Sequence, residues 1–259
     1  HHDGFAMFKS DASKYNMVDF TPYGKDVVDA LVKACRKYGM KFGFYYSQSQ
    51  DWNNPGGATH HRPMSQGWPN PDSVAIDAYT LAHNGSWDPA QQSRTIEQYM
   101  DSVAIPQVKE LLSRYSDVSV FFWDTPKGIT KAYAKKFMNL FKDYPNVIHN
   151  DRMGGGFLGD YKTPEQMIPT VAQLDRTDWE TCMTLNNSWG YRRNGNVWKS
   201  AKQLITTLID IASKGGNLLL NVGPDPLGNI PQENIDRMKV IGEWMEKYGA
   251  SIYGTERCK

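Results

Sequence analysis

Asp124 follows directly on the run Val-Ser-Val-Phe-Phe-Trp, so the chain delivers a carboxylate at the end of an apolar, β-branched and aromatic segment. Such a run reads as a strand, and its last residue projects from a rigid end. An Asp in that place can also cap the helix that begins past Thr125-Pro126-Lys127. The aromatic neighbours Phe122 and Trp123 shift the reading toward chemistry. A carboxylate held there suits attack on an acetal carbon through an oxocarbenium-like transition state, as in glycoside cleavage. That reaction needs a second carboxyl, protonated at rest, and two glutamates downstream of Asp124 can supply it. Glu180, in Thr-Asp-Trp-Glu-Thr, falls at a weak strand end beside Trp179, where partial loss of hydration favours a general acid, and it is the preferred candidate. Glu165, in Thr-Pro-Glu, lies on a loop and also reads as a cap on a short helix. Arg152, in Asn150-Asp151-Arg152, can orient a carboxylate or bind hydroxyls, or simply pair with Asp151 or Asp160. His1 and His2 can serve as neutral hydrogen-bonding groups. Consecutive strand residues face opposite ways, so both line one cavity only if the strand has ended there. Neither they nor His60-His61 come with partners at ligand spacing, so no metal is expected.

These groups must be positioned by regular elements, and the periodicities supply them. Phe5 to Phe8 is a short apolar run with no start signal before it, which reads as a strand already in progress. Val27, Val28, Leu31, Val32 and Cys35 recur at helical spacing up to a stop at Tyr38-Gly39. Lys41 to Tyr46 is the next strand. From Ser47 to Pro89 the chain is rich in Asn, Pro, Gly, Ser and His without periodicity, far longer than an ordinary connection. Helix is expected from Gln91 to Tyr115, Gly128 to Tyr144, Lys199 to Ser213 and Pro231 to Tyr248. Strands are expected at Val118 to Trp123, Asn146 to His149 and Asn217 to Val222, with a weaker one at Trp179 to Met183. The alternation implies a parallel sheet covered by helices, either open or closed into a (β/α) barrel. Candidate groups gather at several strand ends and no phosphate-binding glycine motif is present, which favours the barrel.

Composition sets the limits. The chain has 259 residues, fits one large α/β domain over 1–259, and carries 29 Lys and Arg against 28 Asp and Glu. A balance so close to neutral provides no field to gather nucleic acid or an acidic surface, and it suits an uncharged substrate. Eight Trp and fourteen Tyr are ample for stacking on sugar rings. The cysteines Cys35, Cys182 and Cys258 are odd in number and scattered, so neither a disulfide framework nor a zinc set is read from them. No run is long and apolar enough to span a membrane, and no signal-peptide pattern opens the segment.

The motifs, taken together, resemble one family. His1-His2-Asp3-Gly4-Phe5, Gly43-Phe44-Tyr45-Tyr46-Ser47, Asp51-Trp52, Trp123-Asp124, Asn150-Asp151-Arg152, Thr163-Pro164-Glu165, Trp179-Glu180-Thr181-Cys182, Ser188-Trp189-Gly190-Tyr191, Gly215 to Pro224 and Ile252-Tyr253-Gly254-Thr255 are similar, in that order, to the α-L-fucosidases of glycoside hydrolase family twenty-nine. The resemblance implies a (β/α) barrel of TIM type, incomplete at the N-terminus because about a quarter of the barrel precedes the His-His motif in the family. It implies retention of configuration, no cofactor and a fucosylated oligosaccharide as substrate. The site it implies has Asp124 as nucleophile, with His1, His2, Tyr45, Trp52, Trp123, Arg152 and Trp189 lining the sugar pocket. The acid/base falls at the Trp-Glu motif in some members and at Thr-Pro-Glu in others, so Glu180 and Glu165 both stay in play. A secreted, periplasmic or lysosomal setting is suggested by the same likeness. The rival readings are a barrel that has lost activity and binds fucosylated glycans as a lectin, and a barrel glycosidase of other specificity.

Overall fold

The computed structural model describes residues 2–57, 93–175 and 177–257. His1, His60, His61 and most of the long loop after Ser47 lie outside the described residues. The chain divides into two compact units, His1–Gly159 and Asp160–Lys259.

The first unit is built on a three-stranded parallel sheet in the order β1 (Gly43–Ser47), β2 (Val120–Asp124), β3 (Ile148–His149). Parallel neighbours require crossover connections, and helices supply them. Helix α1 (Val27–Lys37) precedes β1; its N-cap Asp26 accepts from Asp29 N, and its last turn carries Arg36 and Lys37. Before β2 a helical stretch runs through Ile96–Tyr99, widens into a π turn at Met100–Ala104 and continues as α2 (Ile105–Arg114). Pro106 explains the widening, because it has no N–H to offer the preceding turn. Helix α3 (Lys131–Leu140) links β2 to β3 and is capped by Thr130, which accepts from Tyr133 N. The core lies on the face of the sheet that carries Phe44, Tyr46, Phe121 and Trp123, packed with Leu111, Leu112, Phe137 and Phe141.

The second unit repeats the pattern with β4 (Tyr161–Lys162), β5 (Asp178–Thr184) and β6 (Asn217–Asn221), again all parallel. Helix α4 (Ala201–Ser213) starts at a capping box of Ser200 and Gln203, and α5 (Gln232–Tyr248) follows β6. Trp179, Met183 and Ile211 form its core with Leu218 and Leu220. Gly216 admits the Trp179 indole: a Cβ there would lie 2.3–2.5 Å from three ring atoms.

The parallel α/β class expected from the sequence is present, with three departures. Phe5 to Phe8 is not a strand; Ala6 and Phe8 are buried as in a strand, but the backbone pairs only at the isolated bridge Ala6↔Asn16. The weak strand at Trp179 is the longest strand among the described residues. The two-residue β4 has too short an apolar pattern to be seen in sequence.

Candidate active site

Side chains alternate across a strand, and that period of two decides which residues of β2 meet the open face. Along Val120–Asp124, Phe121 and Trp123 are both fully buried while Phe122 and Asp124 look the other way. The register pairs Tyr45 with Phe122 and Ser47 with Asp124, so these four share the face. Tyr45 is 48% exposed, and its ring stacks on Phe122.

Three groups converge on the Asp124 carboxylate. Tyr45 Oη donates to Oδ2 at 2.5 Å, Arg152 Nη1 donates to Oδ1 at 3.0 Å, and His2 Nε2 lies 3.7 Å from Oδ2. His2 Nδ1 is 2.9 Å from Ser47 Oγ, and that hydroxyl in turn donates to the Gln50 carbonyl. The Arg152 guanidinium also sits over the Phe122 ring, 5.6 Å from its centroid. Burial is the largest single influence on Asp124 and pushes its pKa up. The hydrogen bonds from Tyr45 and Arg152, with the charges of Arg152 and His2, outweigh it and hold the pKa below the usual carboxylate value. The group is therefore ionised at neutral pH and only 17% exposed, the state required of a nucleophile.

The backbone around it is held as firmly. Gln48, fully buried, accepts from Asp124 N through Oε1 and donates through Nε2 to the carbonyls of Arg152 and Met153. Asn150 pairs with both backbone polar groups of Trp123 at 2.9 Å. Thr125 sits at φ 50°, an uncommon conformation for a β-branched residue, and Ser49 Oγ donates to its carbonyl. Asp51 is 1% exposed and accepts from Asn53 N, Asn54 N, Asn54 Nδ2 and Tyr99 Oη. Gly4, at φ 78°, leaves room for it, because a Cβ there would stand 2.1 Å from Asp51 Oδ1. Burial raises the Asp51 pKa against those hydrogen bonds. The loop so fixed presents Trp52, 42% exposed, whose backbone N–H donates to the carbonyl of His2 and whose ring lies 6.3 Å from the imidazole.

Of the residues assigned to the site from sequence, Asp124, His2, Tyr45, Arg152 and Trp52 lie together here. Trp123 does not. It points into the core, donates from Nε1 to His149 Nδ1 and packs against Phe137 and Phe141, because adjacency along a strand places it on the face opposite Asp124. Phe122 is the aromatic that shares the carboxylate's face. Asn150 belongs to the Asn150-Asp151-Arg152 motif, whereas Gln48 and Ser49 were not among the residues assigned from sequence. Their signal is a run of polar residues, Ser47 to Gln50, immediately past an apolar strand and all buried.

In the second unit Glu180 is the third residue of β5 and pairs in register with Asn217 at the start of β6. Trp179 faces the core on the other side. Past β4 the chain stays alongside β5: Glu165 bridges in register to Cys182, with Gln166 N donating to Cys182 O and Cys182 N to Pro164 O. Trp189 is 41% exposed on the loop after β5. Among the described residues no group of three or more His, Cys, Asp or Glu is placed to hold a metal ion.

Residues 1–250 match the family model described as alpha-L-fucosidase. The chain is similar to an α-L-fucosidase of Dictyostelium discoideum, 28% identical over 275 residues that cover 98% of this chain and 51% of that protein. It is likewise 28% identical to the plasma α-L-fucosidase of Homo sapiens over 270 residues, covering 98% and 50%. Among solved structures, α-L-fucosidase isoenzyme 1 from Paenibacillus thiaminolyticus matches with a TM-score of 0.80 at 32% identity, over 100% of this chain and 61% of that one. The α-L-fucosidase AlfC from Lactobacillus casei, in complex with α-L-fucose product, matches with a TM-score of 0.76 at 30% identity, over 96% and 74%. The chain spans about half the length of the curated relatives it matches.

Proposed function

The chain belongs to the α-L-fucosidase family, and from that premise we propose that it is the nucleophile-bearing part of a retaining α-L-fucosidase that removes terminal α-L-fucose from glycans. The observation that carries the reading is Asp124, a carboxylate kept ionised at a strand end by Tyr45 and Arg152 in a largely buried setting. It attacks the anomeric carbon, the glycosidic oxygen leaves with a proton from the acid, and a covalent fucosyl intermediate is hydrolysed by water with the acid acting as base. Tyr45 and Arg152 hold the attacking oxygens in line. The two three-stranded sheets are read as parts of a barrel of TIM type, in which working groups sit at the C-terminal strand ends. Fucosylated oligosaccharides are the proposed substrates; one AlfC structure is a complex with Fucα(1,6)GlcNAc. A secreted or lysosomal setting fits relatives that include plasma and tissue enzymes, and no helix among the described residues is long and apolar enough to cross a membrane.

For the acid/base we propose Glu165 rather than the Glu180 favoured by sequence. Asp124 ends its strand, whereas four residues of β5 follow Glu180. Glu165, level with Cys182, stands two residues nearer the C-terminal end of the second sheet, about 6–7 Å at strand rise. In the full-length protein, Asp124→Ala is expected to lower kcat by several orders of magnitude, with azide restoring part of the activity as a β-fucosyl azide. Retention of more than about a tenth of the activity, under ~1.4 kcal/mol of barrier, overturns the nucleophile assignment. Glu165→Gln should slow substrates with poor leaving groups far more than activated aryl fucosides. The same selective loss on Glu180→Gln instead returns the role to Glu180. A protein that binds fucose and turns over neither substrate is a lectin.

A further inference from the structure

A cavity of about 290 Å³ opens in the second unit between the segment 185–198, the turn after β6 and the first turn of α5. Its lining includes Tyr191, Arg192, Trp198, Asp225 and Asn234. Asn234 is 2% exposed, and its Oδ1 has no hydrogen-bond partner. A buried acceptor is rarely left unpaired, so one that lines a cavity calls for a donor from whatever enters. At the start of α5 the N-cap is Pro231, which offers no side-chain cap, and Asn234 N donates to the Pro231 carbonyl; the side chains of Arg192 and Trp198 add donors to the lining. A helix start of this kind often takes an anion, but the lining argues against one here. Arg192 and Arg193 are matched by Asp225 and Glu233, so the cavity carries no net charge. Its rim is stiff, because Asn186 Nδ2 donates to Asn196 Oδ1, Asn196 Nδ2 to Arg192 O, and Asp225 accepts from Leu227 N, Asn229 N and Asn229 Nδ2. Tyr191, 44% exposed, provides an aromatic ring.

We propose that this cavity is a second saccharide site, which takes one neutral sugar unit by accepting a hydroxyl or amide N–H at Asn234 Oδ1 and stacking its ring on Tyr191. An uncharged, polyhydroxylated ligand meets the balanced charge, the orphan acceptor and the donors together. The volume lies at the small end of ligand sites, about 300–1,000 Å³, and suits a single ring. Nothing in the proposal uses Asp124, and Trp189 is not in the lining.

The test titrates the full-length protein with N-acetyl-D-glucosamine and with D-galactose by saturation-transfer NMR, alone and with excess L-fucose. The expected result is saturable binding of at least one sugar with a Kd on the order of 1–10 mM, typical of so few heavy atoms. It should persist in L-fucose and in Asp124→Ala, which separates it from the catalytic reading. Asn234→Leu and Tyr191→Ala should each weaken it about tenfold or more. Both variants should fold, since one removes an unpaired buried oxygen and the other an exposed ring. No saturable binding of either sugar, as when Asn234 is satisfied by water alone, overturns the proposal. So does binding that both variants keep, or binding that L-fucose displaces.

Discussion

Replacing Tyr45 with Phe removes one hydroxyl and leaves the ring. That hydroxyl donates to Asp124 Oδ2 at 2.5 Å, while the ring stacks on Phe122 with centroids 5.9 Å apart and 23° between planes. The variant therefore keeps its shape and loses one charge-assisted bond. Such a bond is worth about 1.5–3 kcal/mol when shielded. Tyr45 is 48% exposed, so water competes for both partners and about 1–1.5 kcal/mol is expected. Asp124 has a lower pKa folded than unfolded, so its ionised form adds stability above the unfolded carboxylate's pKa, and that part is lost as pH falls through the folded value. Tyr45→Phe should thus cost about 1–1.5 kcal/mol of unfolding free energy at neutral pH, and the gap to the parent should narrow in acid as Asp124 takes up its proton. The acid limb of kcat/KM on an aryl fucoside, set by the free enzyme's ionised nucleophile, should move to higher pH. Urea titrations at neutral and acid pH, with the pH–rate profile, measure both effects. A limb that stays in place or moves to lower pH refutes the role of the hydrogen bond. A stability loss that persists undiminished in acid assigns Tyr45 to packing alone.

Two further outcomes follow from packing. Gly216→Ala drives a methyl to within 2.3–2.5 Å of the Trp179 indole and should lower stability by about 2 kcal/mol or more, read as a fall in the urea midpoint; an unchanged midpoint would show that the indole moves aside freely. Trp123→Phe loses the bond to His149 and leaves a void, so about 1–3 kcal/mol of stability should go while KM for an aryl fucoside stays within roughly twofold; a large rise in KM would put Trp123 back in the pocket.

The sequence located Asp124 because an apolar strand ending in a carboxylate is a local pattern, and the same holds for the alternation of strands and helices. Trp123 was misplaced for an equally local reason. Proximity along the chain suggested a shared pocket, where the two-residue period puts neighbours on opposite faces. The role of Gln48 left little mark, since its partners are backbone groups on other strands, one of them 76 residues away, and the role of Asn150, though its motif was noted, rests on backbone groups 27 residues away. The proposal of Glu165 in place of Glu180 rests on register, which depends on how the chain past β4 lies against β5 and leaves no mark in composition.

Gln48 ties the end of β1 to the end of β2 and to the segment after β3 with a single buried amide. Substitutions in this region should therefore not behave as independent events. Loss of the amide at Gln48 releases Asp124 N and the carbonyls of Arg152 and Met153 at once, so the two side chains that meet across the 3.0 Å ion pair lose their shared reference. In double-mutant cycles the penalties of Gln48→Leu and Arg152→Ala should overlap rather than add, since either change spoils the same alignment. Variation can enter such a site only in concert: a new residue at one strand end succeeds when the others shift to meet it, and a library that samples these positions one at a time will record each as intolerant.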